Sequence, residues 1–228
     1  MSAYRYEIKF SLDEAMFAKA MSWMLVNTSV VRKYSNRNVN SLYFDDANYS
    51  SVRDNIIGLP ERIKYRVRWY SLNDSQIFSY PKFELKIRSG RLGRKETFDL
   101  PNLDQRLESF SPKEIAQEVK KELLNSDFIL EDYLAPSLLV NYLREYYEDN
   151  LGLRITFDKK IEFVFVDGMN SKLSDCPKTS YYRYIMEFKF SPDIKDHVSD
   201  LIRELNMTPT RHSKYLIGLA KCGNLLYV

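Results

Sequence analysis

Charge and bulk alternate along four segments of the chain. Arg5, Glu7 and Lys9 interleave with Tyr4, Tyr6, Ile8 and Phe10. Arg62, Lys64, Arg66 and Arg68 interleave with Ile63, Tyr65, Val67 and Trp69. Glu84, Lys86 and Arg88 interleave with Phe83, Leu85 and Ile87, and Glu187 and Lys189 with Met186, Phe188 and Phe190. Successive strand side chains point to opposite faces. Each segment therefore predicts a strand with one charged face, cationic but punctuated by carboxylates, and one apolar face. One such strand is ordinary at an edge. Four imply a sheet whose charged faces converge on a common anionic ligand.

The same patterning predicts strands over residues 4–10, Val39–Asp45, Arg62–Tyr70, Lys82–Arg88, Gly93–Leu100, Arg154–Asp158, Ile161–Val166 and Tyr184–Phe190. Ser89, Gly90 and Arg91 close one hairpin, and Lys159 and Lys160 close a second. Helices are predicted over Leu12–Thr28, Asn48–Asn55, from Ser111-Pro112 to about Leu124, Pro136–Tyr147, Pro192–Leu205, and from Ser213 to Ala220. Ser11 with Glu14 three residues later reads as a capping box. Pro112 suits a first helical position. Met16, Phe17, Ala20, Met21, Met24 and Leu25 form one helical stripe, read as core. Residues 167–180 read as a loop. No βαβ regularity is present, so the expected class is α+β with a mostly antiparallel sheet.

Composition narrows this picture. The 228 residues contain no Pro/Gly/Ser-rich linker and read as one domain, 1–228. With 44% apolar residues, including 17 Tyr and 13 Phe, a packed core is expected rather than disorder. The net charge of +3 carries no argument for a nucleic-acid partner. Cys176 and Cys222 make neither a disulfide framework nor a zinc site. No secretory signal and no span are legible. A cytoplasmic chain is expected, with membrane association through a separately encoded membrane protein as one option.

Burying about a dozen charges in an ordinary core is prohibitive unless they are paired or bind something. Solvated or cross-paired strand faces are one solution. The other is a nearly closed sheet with the charges inside and helices over the apolar outside. Arg forks suit phosphate oxygens, and Lys adds mobile point charges. Glu7, Glu84 and Glu187 would oppose an anion unless they hold hard divalent cations.

The ordered set YRYEIKF (4–10), SLYFDD (41–46), RIKYRVRWY (62–70), FELKIR (83–88), Tyr142-Leu143-Arg144, RITFD (154–158), MEFKF (186–190) and HSKY (212–215) resembles the VTC domain. That is the polyphosphate polymerase domain of the CYTH, or triphosphate tunnel, superfamily. The resemblance runs over nearly the whole chain. It implies an antiparallel eight-stranded β-barrel tunnel with helices packed outside. It also implies Lys9, Arg66, Arg68, Lys86, Arg154, Lys189 and Lys214 as phosphate ligands, joined by Arg144, with Tyr142 and Ser213 as hydrogen-bonding neighbours. Lys95 would lie across a hairpin from FELKIR. Arg62, Lys64, Arg5 and Arg88 share the phase but fall nearer the tunnel mouths. Glu187 resembles the family's principal metal-binding carboxylate. Glu7 and Glu84 are further candidates, and Asp158 shares parity with Arg154. His212, His197, Asp45 and Asp46 are read as structural or surface residues.

The resemblance implies transfer of the γ-phosphate of ATP to a growing polyphosphate chain with Mn²⁺ or Mg²⁺. A triphosphatase with water as acceptor is the nearest rival, and a non-catalytic polyphosphate-binding sensor is another. No P-loop is present. The family's eukaryotic polymerases lie in larger membrane-associated assemblies, so a stand-alone bacterial member is expected here.

Overall fold

The computed structural model describes residues 4–71, 81–103, 107–124, 126, 128–166 and 172–223. The strands are β1 (Arg5–Leu12), β2 (Val31–Asp45), β3 (Glu61–Ser71), β4 (Lys82–Ser89), β5 (Leu92–Asp99), β6 (Ala135–Glu148), β7 (Arg154–Phe165), β8 (Lys178–Tyr181) and β9 (Tyr184–Phe190). The helices are α1 (Glu14–Asn27), α2 (Ser50–Ile56), α3 (Pro112–Leu123), α4 (Lys195–Leu205) and α5 (Lys214–Lys221).

The sheet runs β6-β2-β3-β4-β5-β1-β9-β7-β8, and β6 also pairs with β7. Eight strands therefore close into an antiparallel ring. β8 continues along the half of β7 that β9 leaves free. Closure removes the exposed edges that a long sheet would otherwise present. The seam between β1 and β5 is narrow, with only Arg5↔Gly93 and Tyr6↔Leu92 in register.

The ring's outer face is apolar and covered. Phe10, Leu12, Phe157 and Phe188 pack with Met24 of α1 and Val198 and Leu205 of α4. Leu42, Phe44, Val67, Trp69 and Phe83 pack with Ile115 and Val119 of α3. Ser111 caps α3 through a full capping box with Glu114, and Pro112 follows it.

Helix α5 lies elsewhere. Its Tyr215 and Leu219 join Tyr43, Leu138, Val140 and Phe163, which share the phase of the charged, inward positions. It fills one end of the ring from within. A Cβ on Gly218 would meet Leu138 Cδ2 at 2.5 Å and Phe163 Cδ1 at 2.7 Å, so the close approach requires glycine.

Several expectations are corrected. Pro136–Tyr147 is not a helix but most of β6, which pairs with both β2 and β7. Its inward face (Leu138, Val140, Tyr142) meets α5, and its outward Leu139 and Tyr147 meet the helical layers. A strand buried on both faces reads as a continuous apolar run, which periodicity cannot separate from a helix. Tyr142 and Arg144 are therefore strand residues.

Arg154–Phe165 is one strand rather than a hairpin. Lys160 has φ of 51°, and the β6–β7 register shifts between Asn141 and Leu143. This bulge shifts the inward phase from Asp158 to Ile161. Ser11 does not cap α1. It pairs with Ile185 in the ladder, and the side chain of Asp13 accepts the Met16 amide at 2.8 Å instead. β2 begins at Val31, well before Val39. Part of the expected 167–180 loop forms β8, while residues 167–171 lie outside the described residues.

Candidate functional site

The inward charges form three linked clusters. The first surrounds Glu84, which is 1% exposed. Arg66 Nε donates to its Oε2 at 2.9 Å, Lys95 Nζ donates to Oε1 at 3.0 Å, and Arg68 Nη1 lies 3.7 Å away. Register explains this: Arg66 faces Glu84 across β3–β4. Tyr43 accepts from Arg66 at 3.2 Å, while Arg68 donates to Ser41 Oγ at 3.2 Å and to the Tyr142 hydroxyl at 3.4 Å.

The second cluster surrounds Glu7. Lys9 and Lys86 each lie 3.0 Å from its carboxylate, and Arg88 lies at 3.8 Å. Burial would raise the Glu7 pKa, but Lys86 and Lys9 outweigh it and hold the group well below the usual carboxylate range.

The third cluster surrounds Asp158, which is fully buried. Arg144 grips both its oxygens, with Nη2 to Oδ2 at 2.8 Å, and Lys214 from α5 also donates to it. Arg144 Nη2 also lies 3.5 Å from Glu187, and Lys189 Nζ lies 3.1 Å from Glu187 Oε1.

Where α5 closes the ring, Lys64 donates to Ser213 Oγ at 2.8 Å and Lys9 to the His212 carbonyl at 3.2 Å. Burial pushes the Lys64 ammonium down to about 8; Tyr43 and Glu7 oppose this, and Lys9 and Arg62 add to it. For the Tyr43 phenol burial acts upward, but Arg66, Arg68, Lys86 and Lys64 prevail and bring it to about 7. This is the signature of uncompensated positive potential. An anion bound here would raise both pKa values, so binding should take up protons near pH 7 to 8. Calorimetry of tripolyphosphate binding at pH 7.5 in buffers of different ionisation enthalpy should show greater uptake for the native protein than for Lys64→Met. Equal uptake would contradict the coupling.

The remaining candidates spread outward. Arg62 donates to the Leu59 carbonyl, and Arg5 is exposed at the start of β1. Arg154 pairs with Glu148 at 3.3 Å with 46% of its side chain exposed, and half of the Lys95 side chain is exposed. His197 is exposed. His212 is buried, and burial, with Lys214 and Lys9, pushes its imidazole down to about 3, so it is neutral. Asp45 and Asp46 accept backbone amides at the start of α2, and Asp45 also accepts from the Tyr215 hydroxyl at 2.8 Å. Sequence reasoning missed Ser41, Tyr43 and Thr156 as lining residues. The odd-numbered phase of β2 was available as a signal, but its register with β3 was not.

Among the described residues, no group of three or more His, Cys, Asp or Glu side chains is assembled to hold a metal. Two carboxylates nonetheless fit a smaller role. Glu187 lies diagonally across β1–β9 from Glu7, because Lys9 faces Glu187 and Lys189 faces Glu7. The hydroxyl of Thr156, opposite Glu187, is buried without a hydrogen-bond partner, and Glu187 Oε1 is buried against the Lys189 ammonium at 3.1 Å. Mg²⁺ typically takes one or two carboxylates and completes its shell with water and phosphate oxygens. Glu7 and Glu187 suit that donor set. Glu7 is engaged by Lys9 and Lys86 much as Glu84 is by Arg66 and Lys95; what sets Glu7 and Glu187 apart is that they adjoin one another across β1–β9.

The family model of the VTC domain matches residues 4–222. The chain belongs to the VTC domain family. No curated protein matches it. Among solved structures, a proposed adenylyl cyclase from Hippeastrum with a dominant triphosphatase activity shares 16% identity. It aligns over 98% of each chain with a TM-score of 0.54, a likeness of fold. A Pyrococcus horikoshii protein shares 15% identity over 95% of this VTC chain and 99% of its own, with a TM-score of 0.49. A proposed adenylate cyclase from Vibrio parahaemolyticus shares 11% over the same proportions, also at 0.49. This VTC chain folds as an antiparallel sheet closed into a ring. No helix among its described residues is long and apolar enough to cross a membrane.

Proposed function

We propose that this VTC domain acts as a phosphotransferase that moves the γ-phosphate of ATP onto a polyphosphate chain held in the tunnel. One observation carries the reading. Lys9, Lys64, Arg66, Arg68, Lys86, Arg144, Lys189 and Lys214 crowd a closed interior in which Glu7, Glu84, Asp158 and Glu187 are the facing carboxylates. A linear oligophosphate would supply the missing negative charge at a spacing that Arg and Lys on alternate residues can follow.

In this mechanism Arg66, Arg68, Lys86 and Lys189 bind the non-bridging oxygens and orient donor and acceptor in line. A terminal phosphate oxygen of the acceptor forms the new bond to Pγ. The bond from Pγ to the β–γ bridging oxygen breaks, and ADP leaves with that electron pair. Arg144 and Lys9 stabilise charge on the transferring group. Glu7 and Glu187 would hold Mg²⁺ or Mn²⁺, whose chemistry when bound is neutralisation of phosphate charge. No nucleophile from the protein is required.

A second reading replaces the acceptor by water, giving a triphosphatase. The filling of one end of the ring by α5 favours it, because a short triphosphate needs no exit for a growing chain. The deciding experiment incubates purified protein with ATP and either Mn²⁺ or Mg²⁺ and separates the products. Long chains with ADP are the expected result. Orthophosphate without chains would select the triphosphatase. Binding of polyphosphate without turnover would overturn catalysis in favour of a sensor. Arg66→Ala and Lys189→Ala should each weaken phosphate binding.

A further inference from the structure

Tyr34, Arg37 and Tyr146 form a cluster that phosphate binding leaves unused. Tyr34 and Tyr146 stand in register on β2 and β6, with ring centroids 5.7 Å apart and planes at 86°. The Arg37 guanidinium lies 4.4 Å from the Tyr34 centroid and 5.7 Å from that of Tyr146. Register shifts on both sides of Tyr34 break the regular phase of β2 at this point. Bulges of this kind re-aim side chains. Tyr34 remains 44% exposed, whereas Tyr43 on the same strand is 8% exposed.

The cluster continues the cationic lining. Arg37 faces Arg144 across β2–β6, and the Arg144 guanidinium lies 5.9 Å from the Tyr146 ring while gripping Asp158. An accessible aromatic face backed by a guanidinium, adjoining a phosphate site, meets the two needs of a nucleotide. Its base stacks on π surface, and its phosphates reach cations.

We propose that Tyr34, held by Arg37 and Tyr146, is a base-stacking platform at the end of the tunnel away from α5. It makes a nucleoside triphosphate, rather than bare tripolyphosphate, the preferred ligand. This rests on the phosphate reading of the tunnel and adds the residue on which the base of the donor would sit. Stacking without base-edge hydrogen bonds discriminates little among bases, so ATP and GTP should bind within a few-fold of each other.

The test measures binding of ATP, GTP and tripolyphosphate, each with Mg²⁺, to the native protein, Tyr34→Ala and Tyr34→Trp. Stacking predicts that Tyr34→Ala weakens ATP and GTP about 5- to 100-fold, with tripolyphosphate changing by less than about two-fold and Tyr34→Trp retaining nucleotide affinity. Retained tripolyphosphate binding also shows that the variant is folded. Unchanged ATP affinity in Tyr34→Ala, or equal weakening of ATP and tripolyphosphate, overturns the platform alone. Failure of the native protein to bind any of the three overturns the tunnel reading and the platform with it.

Discussion

Replacing Asp158 by alanine should destabilise the fold by about 3–5 kcal/mol, the usual cost of leaving buried charges without their partner. For a chain of this size that is a fall in Tm of roughly 6–20 °C. The deletion strands Arg144, which is 6% exposed, and Lys214, leaving Glu187 at 3.5 Å from Arg144 as the nearest compensation. Thermal or urea unfolding measures the effect, and a loss below about 1 kcal/mol would contradict it. Tripolyphosphate should raise the Tm of the variant more than that of the native protein, because it supplies the anion that the stranded cations lack.

The pH dependence has a definite sign. Burial acts to raise the Asp158 pKa, but Arg144 and Lys214 outweigh it and place it below the ordinary value of 3.8. A depressed folded-state pKa contributes stability that is present above the unfolded value and lost as pH falls through the folded one. The native protein should therefore lose stability below about pH 4, and the Asp158→Ala profile should be flatter in that range.

Glu187→Gln should lower metal-dependent turnover at least about 100-fold, equivalent to the several kcal/mol expected of a metal-linked carboxylate. Glu187 is 3% exposed and lies diagonally across β1–β9 from Glu7, with Lys9 facing Glu187 and Lys189 facing Glu7. The amide keeps the shape but removes the charge a divalent cation needs. The same change relieves Lys189 and Arg144 of one carboxylate, so tripolyphosphate binding without metal should hold or tighten. Titrating Mg²⁺ and Mn²⁺ against turnover, beside metal-free binding, separates these effects. Unchanged metal dependence would remove Glu187 from the role, whereas loss of metal-free binding would indicate a structural one.

Much of the tunnel was legible because strand periodicity is local. From Arg62 to Arg68 and from Glu84 to Arg88, every second residue is charged, and the backbone alone sends those residues to one face. The ordered motifs supported the family resemblance, and the family match covers nearly the same span. The α3 capping box was legible for the same reason: Ser111 and Glu114 are three residues apart.

The errors arose where local signals were ambiguous. β6 is apolar on both faces because two layers cover it, so Tyr142 and Arg144 could not be placed on a strand by periodicity. Ser11 reads as the cap of α1, but strand pairing takes it, and Asp13 caps the helix instead.

The sequence by itself determined which residues carry charge on one strand face and which carry bulk on the other. Tertiary structure decided which charges meet. It joined Arg66 to Glu84, Arg144 to Asp158 and Lys64 to the start of α5, and it put α5 inside the ring. It also set the beta-strand irregularity that places Tyr34 beside Arg37. Side-chain alternation is a property of one chain segment, whereas register, closure and bulges depend on segments far apart along the chain, and no local period encodes them.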